Sequence, residues 1–170
     1  MVEEIRRDLP RIESFVTLSP MPGFRAWLET TDDPAVEGLA AEARRLAHDE
    51  NWAAHPESAV RARKALEPLA AYYLLKARRP DGRVIDSVAR FHLGNGARLE
   101  RINWMGDLSV KGLFESYGVM VNYLYDLAEI ERNHEAFANQ GVVAASSAAK
   151  KLLPSSRART HAPALPAPRA

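Results

Sequence analysis

His92 has the clearest chemical prospect in the chain. It follows Phe91 and precedes Leu93 and the run Gly94-Asn95-Gly96. Glycines let backbone approach a ligand closely, and an imidazole exchanges protons near neutral pH. Residue type alone still favours a structural histidine. Ser19 closes the β-branched and apolar run Phe15 to Ser19 and stands just before Pro20-Met21-Pro22-Gly23. Strand ends in α/β sheets often face ligands, although a serine before proline also serves as a turn residue. There is no Gly-x-Ser-x-Gly elbow to support an esterase-type nucleophile. Tyr125 ends the most strand-like segment and can present its hydroxyl to a pocket, but it shares a face with Tyr123, and residue type alone favours both as core with satisfied hydroxyls. Asn122 points to the opposite face and needs a partner if buried. Asn95 and Asn103 flank the His92 region and can shape turns. His48 and His55 fall in a polar connection, His134 on a charged helix face and His161 in the last stretch. No His/Asp/Glu cluster has metal-site spacing, and there is no Walker loop or Gly-x-Gly-x-x-Gly fingerprint.

The elements that must position these residues are legible from periodicity. Phe15 to Ser19 reads as a buried strand ending in a turn. Pro22 suits the first turn of a short helix carrying Phe24, Trp27 and Leu28. Asp33-Pro34 reads as a helix start, with Val36, Leu39, Ala40, Ala43 and Leu46 at helical spacing up to about His48. A second apolar stripe, Leu66, Leu69, Ala70, Tyr73, Leu74 and Ala77, follows Pro56. Pro68 lies inside it, and an interior proline costs about 3 kcal/mol, which predicts a break or kink. Arg79-Pro80-Asp81-Gly82 signals a turn. Asp86 to Phe91 reads as a short helix leading to His92, and Arg98 to Trp104 as a strand. In Tyr117 to Tyr125, apolar groups on both faces predict a central strand. Asp126 is expected to cap a helix that ends near Gly141, and Val142 to Leu153 to form a final helix. Pro154 to Ala170 turns to Pro, Ala, Ser and Arg and is expected to be a disordered tail with no fold role. The sum is about three strands and six or seven helices, an α/β (α+β) domain whose strand count is low for a self-sufficient sheet.

Bulk properties exclude some chemistry. The chain has 170 residues, room for one domain with a real core. Its net charge is +1, so no large basic field draws nucleic acid or an anionic membrane, though a local basic pocket for a phosphorylated ligand remains open. With no cysteine, disulfides, thiolate zinc, iron–sulfur clusters and cysteine nucleophiles drop out. The N-terminal MVEEIRRDLP has no apolar h-region, and no apolar run reaches the ~20 residues of a membrane span. The expected location is cytoplasmic.

Taken together, FVTLSPMPGFRAWL, VARFHLGNGARLERINWMGDLSVKG, GVMVNYLYDL and VAASSAAKKLL resemble successive blocks of the malonyl-CoA decarboxylase family, in the family's order. The resemblance covers about residues 10 to 153. It implies conversion of malonyl-CoA to acetyl-CoA and CO2, on a catalytic domain similar to the GNAT acyltransferase fold. It matches the family's catalytic serine to Ser19, its catalytic histidine to His92 and its active-site tyrosine to Tyr125. Asn95, Gly96 and Asn122 are then candidates for contact with substrate. Loss of CO2 leaves a thioester enolate, so His92 can donate a proton or hold the enolate oxygen, Ser19 can position the carboxylate or carbonyl, and Tyr125 can orient the pair. No metal or organic cofactor is needed, because CoA belongs to the substrate and the thioester is the electron sink.

The same resemblance implies departures. The family's helical domain and the first half of its GNAT-like domain, with the segment expected to hold the CoA pyrophosphate and an acidic active-site residue, have no counterpart here. Neither does the stretch after Leu153. Half a sheet leaves an exposed edge and an incomplete core, so poor stability and weak or no activity are expected of the chain alone. Three readings follow: a decarboxylase acting on malonyl-CoA; a non-catalytic remnant or partner of a separate N-terminal half, or a homo-oligomer; and a GNAT-like acyl-CoA-binding or acyltransferase module.

Overall fold

The structure is a computed structural model; it describes residue 7 and residues 11–49 and 51–155. The strands are β1 (Ser14–Ser19), β2 (Arg98–Asn103) and β3 (Met120–Asp126). The helices are α1 (Phe24–Thr30), α2 (Glu37–Ala47), α3 (Pro56–Leu75), α4 (Ser87–Gly94), α5 (Val110–Ser116), α6 (Ile130–Gln140) and α7 (Ser147–Lys151). The expected mix of few strands and many helices holds.

The strands form one antiparallel sheet in the order β1-β3-β2. β3 is central, as its two-sided apolar pattern predicts. Its inner face carries Val121, Tyr123 and Tyr125, all buried. These sit opposite Ser19, Thr17 and Phe15 of β1. Alternation therefore puts Phe15, Thr17 and Ser19 on the core side, and Val16 and Leu18 on the other. The latter two are 56% and 58% exposed, so β1 is an edge strand with one open face and not the buried strand expected. A bulge between Leu99 and Arg101 re-phases β2, letting both Leu99 and Ile102 turn inward.

Several elements differ from the sequence expectation for identifiable reasons. α3 runs through Pro68 without a break. Leu66, Leu69 and Leu74 are almost wholly buried, and burial at about 1.5–3 kcal/mol per leucine outweighs the proline penalty. Pro56 occupies the first turn of α3, as its position suggests. Asp33 does not cap α2; its Oδ1 accepts from the Ala35 N–H and its Oδ2 from the Tyr72 hydroxyl, and the helix starts later, at Glu37. Tyr117 is not in the strand: it ends α5 in the left-handed region, φ 53°. Asp126 is the last residue of β3, held extended by pairing with Ser14, and its Oδ1 accepts from Ala128 in the following turn. Residues 142–146 are not helical, because Ala145 bridges Leu99 at the outer edge of β2: Leu99 N–H donates to Ala144 O and Ser146 N–H to Leu99 O, both at 2.9 Å. Of the expected disordered tail, only Pro154 and Ser155 fall within the described residues.

Candidate active site

Three elements converge on the inner face of the sheet. β1 delivers Ser19 at its end, and β3 delivers Tyr123 and Tyr125 two residues apart on one face. α4 delivers His92, which is in the last turn of the helix and not in the loop beyond it. Asp86 caps α4 by accepting from the Ala89 N–H at 2.9 Å. Ala89, His92 and Leu93 form the buried face of this helix, while Phe91 turns outward.

The three side chains singled out by sequence meet in one line. Ser19 Oγ lies 3.0 Å from His92 Nε2. His92 Nδ1 lies 2.7 Å from the Tyr125 hydroxyl. All three residues are buried. The imidazole stacks on Tyr123, ring centroids 4.4 Å apart and 17° from parallel. Tyr125 stacks in turn on Phe15 at 4.6 Å. Thr17 Oγ1 lies 3.1 Å from Ser19 Oγ. Thus Phe15, Thr17 and Tyr123, which sequence did not single out for the site, line it. The signal that could have found Thr17 is its position two residues before Ser19, on the same strand face.

A buried carboxylate fastens this arrangement. Asp86 faces the Gly23 and Val88 backbone N–H groups as well as that of Ala89, and the Tyr73 hydroxyl donates to its Oδ2 at 3.4 Å. Gly23 lies in the exit from Ser19 and Val88 in the helix of His92, so one side chain ties together the two segments that carry the pair. The junction is tight: a Cβ on Gly23 would sit 2.5 Å from the Tyr73 oxygen. Burial pushes the Asp86 carboxyl above its ordinary value.

Protonation follows from burial. His92 is held below the ordinary imidazole value by desolvation, so the neutral ring is favoured at neutral pH. Burial pushes Tyr125 upward, so it keeps its proton. The Tyr125 hydroxyl has no other hydrogen-bond partner among the described residues. We therefore assign it as donor to Nδ1, which leaves the proton of the neutral ring on Nε2, donating to Ser19 Oγ. In a Ser-His-Asp triad the carboxylate fixes the opposite tautomer and the histidine takes the serine proton. Here a phenol stands where that triad has its carboxylate, and in this tautomer Ser19 Oγ accepts from Nε2–H and keeps its own proton.

The substrate-contact candidates lie elsewhere. Asn122 is on the opposite face of β3 from Ser19 and Tyr125; it accepts from Asn103 Nδ2 and donates to the Thr17 carbonyl, bracing all three strands. Asn95 caps the end of α4, its side chain donating to Phe91 O. Gly96 has φ +84°, and a Cβ there would run into the Ile130 carbonyl, so its lack of a side chain serves the packing against α6. Asn133 of α6 donates to its carbonyl.

The model of the malonyl-CoA decarboxylase C-terminal domain matches residues 1–162. The chain belongs to the malonyl-CoA decarboxylase family. The match runs past Leu153, where the resemblance visible in the sequence stops. Mitochondrial malonyl-CoA decarboxylase of Anser anser anser is 35% identical over 163 residues, 81% of this chain and 31% of its own length. The enzyme of the same name from Rattus norvegicus is 34% identical over 172 residues, 86% of this chain and 34% of its own length. The crystal structure of malonyl-CoA decarboxylase from Rhodopseudomonas palustris superposes with a TM-score of 0.81 at 48% identity, covering 90% of this chain and 36% of that one. The chain therefore spans about a third of the length of the curated relatives it matches. Within this malonyl-CoA decarboxylase family domain, Ser19, His92 and Tyr125 lie on β1, α4 and β3.

Proposed function

We propose that this chain carries the proton-delivery side of a malonyl-CoA decarboxylase active site, with Ser19, His92 and Tyr125 as its relay. The observation that carries the reading is the continuous line Tyr125–His92–Ser19, at 2.7 and 3.0 Å. Decarboxylation breaks the bond between the carboxylate carbon and Cα, and its electron pair moves into the thioester as an enolate. The thioester is the electron sink, so the reading calls on no metal or organic cofactor. What the enolate then requires is one proton at Cα and a polar partner for its oxygen.

Both ring nitrogens of His92 are already engaged, so the histidine reaches a substrate only through Ser19. Ser19 Oγ gives its proton to Cα, Nε2–H shifts toward the oxygen left behind while the Tyr125 hydroxyl holds Nδ1, and one proton from solvent then restores Ser19 and the Nε2–H ring. An acyltransferase needs a base to activate an attacking amine, and the tautomer held by Tyr125 supplies an acid, which favours decarboxylation over the acyl-transfer alternative. Because the relatives are longer, the wall that holds CoA is assigned to the region they carry outside the matched segment. The open face of β1, with Val16 and Leu18 exposed, and its outer edge, unpaired among the described residues, are where such a region would complete the sheet. Among the described residues no helix is long and apolar enough to cross a membrane, and a cytoplasmic setting is part of the proposal, although the curated relatives are named as mitochondrial.

The deciding assay is CO2 release from malonyl-CoA by this chain, alone and with the remaining region of a relative supplied. His92→Ala is expected to abolish release in whichever preparation is active. Release at the parental rate by that variant would end the assignment of His92.

A further inference from the structure

We propose that Thr17 is a positioning residue that directs the Ser19 proton toward the substrate. This rests on the reading of Ser19 as the outermost member of the relay. A hydroxyl has one proton and two lone pairs. His92 Nε2–H fills one lone pair of Ser19 Oγ at 3.0 Å. Thr17 Oγ1, at 3.1 Å, is the other hydroxyl in reach, and when it donates it fills the second. The Ser19 proton then has one direction left, away from both partners. The two donors also stabilise the charge that builds on Oγ as the proton departs, which makes the serine a stronger acid at the moment of transfer.

The rest of the structure holds Thr17 for this task. It pairs with Tyr123 in the sheet register, so its side chain projects on the same face as the ring that stacks on His92. Its carbonyl accepts from Asn122 Nδ2 at 3.0 Å, and Asn122 is itself held by Asn103 of β2. The strand position of the Thr17 hydroxyl is therefore fixed from the far side of the sheet. The β-branched Thr17 side chain is also restricted at χ1.

Two variants and two readouts test it. Thr17→Val keeps the β-branched shape and removes the hydroxyl; Thr17→Ser keeps the hydroxyl. In the CO2-release assay, Thr17→Val is expected to lower kcat about ten-fold, the weight of one hydrogen bond. KM should stay within about two-fold, and Thr17→Ser should recover most of the rate. In ring 15N–1H spectra of the histidine-labelled chain, the His92 Nε2–H resonance should move in Thr17→Val and stay near the parental position in Thr17→Ser. A Thr17→Val protein with parental kcat overturns the proposal, and so does an unmoved Nε2–H resonance. If the parent and both variants release no CO2 in any preparation, the decarboxylase reading falls and the resonance alone decides the role of Thr17.

Discussion

Replacing Tyr125 by Phe deletes a single oxygen from the relay and leaves its shape. The ring keeps its stacking on Phe15 at 4.6 Å and its place on the inner face of β3. What goes is the donor 2.7 Å from His92 Nδ1. In the resting state this leaves a buried ring nitrogen without a partner, a cost of about 1–3 kcal/mol in stability. In the reaction the loss is specific to the transition state, because negative charge develops on the imidazole as Nε2–H moves to Ser19. A hydrogen bond to a charged group contributes about 1.5–3 kcal/mol, so kcat should fall roughly ten- to a hundred-fold. KM should change little, since Tyr125 is two groups removed from the substrate. The assay is steady-state CO2 release with and without the supplied region, accompanied by thermal unfolding to separate rate from stability. The ring 15N spectrum adds an independent check: the parent should carry its His92 proton on Nε2, and Tyr125→Phe should show a mixture of both tautomers. A variant with parental kcat, or a parent protonated on Nδ1, would refute the direction of the relay.

Two other perturbations probe the same cluster. The Tyr123 hydroxyl is buried with no hydrogen-bond partner among the described residues, so Tyr123→Phe should stabilise the protein by about 1 kcal/mol, raising Tm by about 2–4 °C; a fall in Tm of that size would show that the hydroxyl is partnered after all. Acid should weaken the fold through His92. Burial lowers its folded-state value below the unfolded one of about 6.5, so between those two values the unfolded chain binds a proton that the folded chain does not. Stability is therefore full above about pH 6.5 and is lost as pH falls toward the folded value. Urea unfolding from pH 7.5 to 5.5 should show this slope in the parent and a smaller one in His92→Asn, and identical slopes would remove the histidine from the account.

Much of the candidate site was legible along the chain in local features, although residue type alone favoured a structural reading for each of its three side chains. Ser19 at a strand end, His92 before a Gly-Asn-Gly run and Tyr125 at the end of an alternating strand are all features of a few consecutive residues. Helix starts such as Pro56 and the turn at Gly82 follow from backbone chemistry that proline and glycine impose without help from distant residues. The central placement of β3 was equally readable, because two apolar faces require two covering layers. Misreadings arose where a distant partner overruled a local signal. Pro68 stays helical because the leucines around it are buried by other elements. Residues 142–146 give up a helical pattern to satisfy the backbone of β2.

Periodicity and spacing thus determined most of the elements and offered three candidate polar side chains, and the resemblance of whole sequence blocks joined those three into one site. Only the tertiary structure decided that Asn122 faces away from those three, that Thr17 and Tyr123 stand beside them and that a buried Asp86 ties the segments of Ser19 and His92 together. Strand register and helix docking fix these relations, and they depend on contacts between residues far apart in the chain. The hydrogen-bond line from Tyr125 through His92 to Ser19 is of that second kind, and with it the direction in which the proton is proposed to move.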